Sequence, residues 1–81
     1  MYYVYVLECS DDTLYTGITT DVKRRLQEHQ HGIGARYTRG RTPVRLLHTE
    51  RYRTRSKATK REVEIKKLPK QEKLALIQTG G

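Results

Sequence analysis

Cysteine is almost absent from this 81-residue chain. Cys9 stands alone, which excludes an internal disulfide framework and any zinc cluster built on thiolates. It interrupts an apolar alternation, where a small buried hydrophobe is expected rather than a nucleophile. Tryptophan and phenylalanine are missing, so all six aromatics are tyrosines, each with an apolar ring and a polar tip. No apolar run approaches the ~18 residues that cross a bilayer, and no basic-then-apolar leader opens the chain. The expectation is a protein without a membrane partner, in the cytoplasm. Hydrophobic residues are only 35%, so the core must be small, as suits one domain over residues 1–81.

Acid is scarce as well, with nine Asp and Glu against seventeen Lys and Arg, a net charge of +8. The excess is concentrated: from Arg36 to Glu62 ten cations meet only Glu50 and Glu62. A field of that density favours a polyanion, and nucleic acid is the default partner. Arg36, Tyr37, Arg39, Arg41, Lys57, Lys60 and Arg61 are the candidate nucleic-acid contacts. Arginine outnumbers lysine through the first two thirds of the chain, which suits bidentate phosphate contact.

Residues 2–9 are β-branched and aromatic, with Tyr3, Tyr5 and Leu7 on one face and Val4 and Val6 on the other. Two apolar faces predict a central strand. Ser10-Asp11-Asp12 is turn chemistry, and residues 13–18 return as a second strand on which Tyr15 and Gly17 share a face. Thr19, Thr20 and Asp21 are possible caps for a helix over 22–30, stopped by Gly32. A glycine-punctuated basic loop spans 32–43, and 44–51 alternates as a third strand. Thr54 or Ser56 caps a helix running to about Leu68, broken by Pro69. A last helix covers about 70–78 with Leu74 and Ile77 inward, and 79–81 should fray. The order β-β-α-β-α-α implies an α+β fold, a three-stranded antiparallel sheet flanked by helices.

Helical projection at ~100° per residue then picks out side chains that face the wrong way. On the first helix His29 falls on the stripe of Val22 and Leu26, and Arg25 leans towards it, while Lys23 and Arg24 point out. On the second helix Glu62 shares the stripe of Ala58 and Ile65, while Glu64 points out. A carboxylate there must be paired, with Arg25 or Arg61, or bind a cation. Tyr5 and Tyr15, on adjacent strands, join Arg25, His29 and Glu62 beside one sheet.

Such a set suits phosphodiester chemistry. One carboxylate with several waters suits Mg²⁺ or Mn²⁺, which can stabilise a leaving oxygen. An arginine can neutralise developing phosphorane charge, and a phenolate lowered by nearby cations can activate water. A P-loop is excluded, because Gly32 and Gly34 are not followed by Gly-Lys-Ser/Thr. The histidines 29, 31 and 48 form no His-Glu-x-x-His pattern, so a zinc hydrolase is not expected.

Tyr3-Val4-Tyr5, ten residues, Tyr15-Thr16-Gly17, then Asp21, Arg25, His29 and a later Ala58-x-x-x-Glu62 together resemble the GIY-YIG nuclease domain. The likeness is to its small stand-alone bacterial members and covers nearly the whole chain. It implies that Tyr5 closes the first motif and Tyr15 opens the second. It further implies that Arg25 is the catalytic arginine, His29 the histidine one turn later in some members, and Glu62 the single metal ligand. Gly17 becomes the motif glycine, whose missing side chain would let backbone or phosphate approach. One phenol, Tyr5 or Tyr15, would act as general base. The chain departs from the pattern at Tyr3, for the first motif's glycine, and at Thr16, for the second motif's isoleucine.

The expected function is a Mg²⁺-dependent endonuclease acting on DNA, on branched, flapped or damaged forms as in DNA repair, with weak sequence preference and no small-molecule cofactor. The alternative is a nucleic-acid-binding module, for DNA or RNA, that keeps the fold without turnover. Nothing in the sequence indicates an oligomer.

Overall fold

The computed structural model describes residues 1–79. It runs β1 (Tyr2–Glu8), β2 (Leu14–Thr19), α1 (Val22–Gln30), β3 (Arg45–Tyr52), α2 (Arg55–Lys67) and α3 (Lys70–Thr79), with a 3-10 turn at Arg36–Thr38. This is the order expected from the sequence. Of the expected frayed tail, Thr79 ends α3 and the rest lies outside the described residues. Asp21 caps α1 by accepting from the Arg24 N–H, and Thr54 rather than Ser56 caps α2 by accepting from the Lys57 N–H.

β1 lies between β2 and β3, antiparallel to both. Its two apolar faces explain the placement, since each meets its own half of the core. Val4 and Val6 pack on Ala58 and Ile65 of α2, with Leu14 and Ile18 of β2 and Leu76 and Ile77 of α3 around them. Ile77 thus turns inward as expected, with Leu76 rather than Leu74 as its companion on this cluster. On the opposite face Tyr5, Leu7, Cys9 and Val44 cluster with Tyr15 and Leu26. Ile65 is fully buried, and burial of such a side chain contributes ~1.5–3 kcal/mol.

The third strand is not the plain alternation its sequence suggests. Val6 pairs with His48 and Leu7 with Leu46, so Leu47 is an extra residue, a β-bulge. Before the bulge Val44 faces the Tyr5 side; after it His48, Glu50 and Tyr52 face α2. Gln30 ties α1 to the entry of β3, its side-chain amide donating to the Val44 carbonyl and accepting the Val44 N–H at 2.6 and 2.9 Å. One flaw stands out in the core. Thr16 faces the α2 side, is buried, and its hydroxyl has no hydrogen-bond partner among the described residues.

Candidate active site

Tyr5, in mid-β1, stands opposite Gly17 of β2. A Cβ at Gly17 would lie 2.6 Å from the Tyr5 hydroxyl oxygen and 3.1 Å from the Tyr15 ring. The space expected for an approaching phosphate is therefore taken by the Tyr5 phenol, which lies over the glycine. Its oxygen meets His29 Nε2 at 2.8 Å. His29 is completely buried, with Nδ1 2.7 Å from Thr38 Oγ1. The Thr38 hydroxyl donates to the Ala35 carbonyl at 3.0 Å, so its oxygen accepts from Nδ1–H. That leaves the Nε2 lone pair for the Tyr5 O–H. The Ala35 N–H also points at Nδ1, but from 3.4 Å, and the shorter contact decides the tautomer. Gly34 serves His29 as Gly17 serves Tyr5: a Cβ there would run into the imidazole.

Tyr15 completes an aromatic cluster. Its ring lies 6.3 Å from Tyr5 and 5.2 Å from His29, and stacks on Tyr37 at 5.8 Å. It is half-buried, and its hydroxyl makes no hydrogen bond among the described residues. Arg25, projected inward from α1, bonds Glu28 at 2.8 Å and also acts on the Tyr5 phenol. Glu62, from α2, is 17% exposed, and its charge too is felt at Tyr5. Its ion-pair partner is Lys66 at 3.4 Å, neither Arg25 nor Arg61 as the sequence suggests. Arg25 instead turns to Glu28 on its own helix, a nearer partner, and Arg61 to Glu50.

Burial pushes the Tyr5 phenol up to about 12, and Arg25 offsets this only in part. The lowered phenol expected from nearby cations is thus not found at Tyr5, because a ring 2% exposed loses more hydration than one guanidinium restores. Burial, and then the charge of Arg25, hold His29 below its ordinary range, so the imidazole is neutral at pH 7. Burial also raises the Cys9 thiol, which fits its place in the core. Among the described residues no three His, Cys, Asp or Glu gather to hold a metal. A lone, mostly buried carboxylate fits Mg²⁺ or Mn²⁺ completed by water and phosphate oxygens, and not zinc.

The candidate nucleic-acid contacts are more divided. Lys57 and Lys60 are exposed on α2, and Arg36 is exposed in the loop. Arg39 donates to the Gly32 carbonyl at 3.3 Å. Arg41 bonds Asp11 at 2.9 Å and sits 4.4 Å over the ring of Tyr37. Arg61 is committed within the chain, grasping both oxygens of Glu50 at 2.8 and 3.2 Å. Glu50 also accepts from the Tyr52 hydroxyl at 2.6 Å and meets His48 Nε2 at 2.8 Å. Burial alone would raise its carboxyl, but Arg61, Tyr52 and His48 together hold it down to about 2. Sequence reasoning missed this network, although His48, Glu50 and Tyr52 recur at a strand's period of two. It also missed Thr38 and Gly34, for which the only signal was their place in a glycine-rich loop next to His29.

The family model of the GIY-YIG catalytic domain matches residues 1–75. The UPF0213 protein of Natronomonas pharaonis is 59% identical, over 98% of this chain and 95% of its own. The UPF0213 protein of Streptococcus agalactiae is 54% identical, over 94% and 86%. The solution NMR structure of the UPF0213 protein from Bacillus halodurans superposes with a TM-score of 0.65 at 46% identity, covering 100% of this chain and 87% of that one. With Tyr5, Tyr15, Gly17, Arg25 and Glu62 assembled as described, the chain belongs to the GIY-YIG catalytic domain family, a nuclease family whose members engage nucleic acid.

Proposed function

We propose that this chain is a divalent-metal-dependent nuclease that hydrolyses phosphodiester bonds in DNA, in the cytoplasm and with weak sequence preference. The observation that carries the reading is the pairing of an inward guanidinium with an inward carboxylate. Arg25 of α1 acts on the buried Tyr5 phenol, and Glu62 of α2 is only 17% exposed and ion-paired to Lys66 alone among the described residues. Folding alone does not call for an inward carboxylate without a buried partner. Glu62 would hold Mg²⁺ or Mn²⁺, which when bound supplies Lewis-acid stabilisation of the leaving oxygen.

The chain's own residues take the remaining roles. Arg25 faces the charge that grows on the phosphoryl oxygens in the transition state. Tyr15, whose side-chain oxygen has no hydrogen-bond partner among the described residues, meets the attacking water and, acting as the phenolate, takes its proton to become the phenol. Tyr5, protonated and held by His29, orients Arg25 and excludes water from behind the site. The neutral imidazole accepts from Tyr5, and Thr38 fixes its tautomer.

A second reading, a binding module without turnover, draws on one observation: the phenol of Tyr5 is raised rather than lowered. A time course on labelled single-stranded, duplex, flapped and branched DNA, with Mg²⁺ against EDTA, separates the two. Metal-dependent cutting supports the nuclease, and salt-sensitive binding with no cutting supports the module. Tyr15→Phe should lower kcat by about 10²–10⁴-fold with the fold intact. Tyr5→Phe should cost ~1–3 kcal/mol of stability, because it strands His29 Nε2. A larger kcat loss for Tyr5→Phe, measured at matched folded fraction, would reverse the two roles.

A further inference from the structure

Beside the tyrosine cluster a groove of about 300 Å³ opens between the starts of α1 and α2. Arg24, Arg25 and Glu28 line it from α1, Ile18, Thr19 and Thr20 from the end of β2, Tyr2 from β1 and Arg55 from α2. Three guanidinium groups thus meet one carboxylate. Glu28 is already engaged, by Arg25 at 2.8 Å and Arg24 at 3.9 Å. Arg55 is exposed and has no carboxylate partner among the described residues. The excess positive charge is not there for the helices, since the first turns of both α1 and α2 hold no acid. Cations in a first turn oppose the helix dipole and cost a few tenths of a kcal/mol each.

Arg25 belongs both to this groove and to the tyrosine site, so the two are continuous. Arg55 and Glu62 lie seven residues apart on one face of α2, ~10.5 Å along its axis. At ~3.4 Å of rise per nucleotide, that is about three nucleotide steps of one strand.

We infer that this groove is a phosphodiester-binding subsite, in which Arg55 and Arg24 hold the backbone of the DNA strand that flanks the scissile phosphate. It deepens the nuclease reading and rests on it for the direction of the strand. The anion is a phosphodiester and the contacts are to backbone, so they position without reading sequence. None of the candidate contacts drawn from the basic segment 36–61 includes Arg24 or Arg55. Neither residue forms part of the tyrosine site, and both act on binding rather than chemistry.

The test measures duplex DNA binding in EDTA by fluorescence anisotropy across a salt series, for the parent, Arg24→Ala, Arg55→Ala and the double variant. Lys23→Ala, one position from Arg24 and outward, is the control. Each groove variant should flatten the slope of log K against log salt by about 0.9, and Lys23→Ala should leave it unchanged. In Mg²⁺ the same variants should raise KM several-fold at constant kcat. Unchanged slopes and KM in the double variant would overturn the inference and leave the nuclease reading standing. Flattened slopes in the groove variants, with a parent that never cuts, would keep the groove and remove the nuclease.

Discussion

Two sets of side chains, Tyr52, His48, Arg61 and Glu50 in one and Tyr5, His29, Arg25 and Glu62 in the other, are drawn from the same four residue types. In the first set every group spends itself on another. Arg61 grips both carboxylate oxygens, and Tyr52 and His48 fill the remaining positions. In the second set the Glu62 carboxylate has one ion-pair partner among the described residues, Lys66 at 3.4 Å. Tyr15, whose ring lies 6.3 Å from that of Tyr5, keeps a hydroxyl with no hydrogen-bond partner among them. The first set is a closed network that fastens β3 to α2. The second has capacity left for a ligand. Residue type does not make a site; unspent hydrogen-bonding and charge do.

The sharpest way to break this comparison is to remove each carboxylate in turn. Glu62→Ala should lower Mg²⁺-dependent cleavage by about 10³-fold or more while stability stays within ~0.5 kcal/mol. Glu50→Gln should do the reverse. It should cost about 2 kcal/mol by denaturant melt, with kcat per folded molecule unchanged. If both variants lose activity without losing stability, the two networks are not different in kind.

The arginines offer a second contrast. Arg25→Ala should lower kcat by about 10²–10³-fold, as loss of a transition-state charge partner does, whereas Lys23→Ala, pointing outward, should change it less than twofold. Steady-state kinetics on one DNA substrate decides this.

Acidity separates the two networks next. The Glu50 carboxyl is held at about 2 against its ordinary 4.5. A lowered carboxyl stabilises the fold above pH ~4.5, and that contribution is lost as pH falls towards 2. Melts from pH 6 to 2.5 should therefore show the parent losing stability that Glu50→Gln never had, and the two curves should converge in acid. Parallel curves would mean that the Glu50 network carries no such linkage.

The smallest effect concerns Thr16, whose buried hydroxyl lacks a partner among the described residues. Thr16→Val should stabilise by ~1 kcal/mol and raise Tm by about 4–8 °C without changing cleavage. A fall in Tm would show that the hydroxyl is satisfied after all.

Much of this was legible in the sequence, for a reason that differs from one part to another. The two faces of β1 and the inward lean of Arg25, His29 and Glu62 follow from fixed periods of 2 and 3.6 residues, which depend on nothing outside the element. The bulge at Leu47 reverses the faces of β3, and only pairing with β1 reveals it. The commitment of Arg61 depended on that reversal, because it brings Glu50 round to α2. Thr38 reaches His29 through the path of the loop after α1, and a loop's path is set by tertiary contacts. The raised phenol of Tyr5 has the same origin, since burial is a property of the fold and not of the motif.

The central claim is that the open set, and not the closed one, is the site of phosphodiester hydrolysis. One side-by-side cleavage time course on DNA, in Mg²⁺, with the parent, Glu62→Ala and Glu50→Gln at equal folded concentration, tests it most directly. Cutting by the parent and Glu50→Gln, with none by Glu62→Ala, is the predicted result. Undiminished cutting by Glu62→Ala would contradict the account.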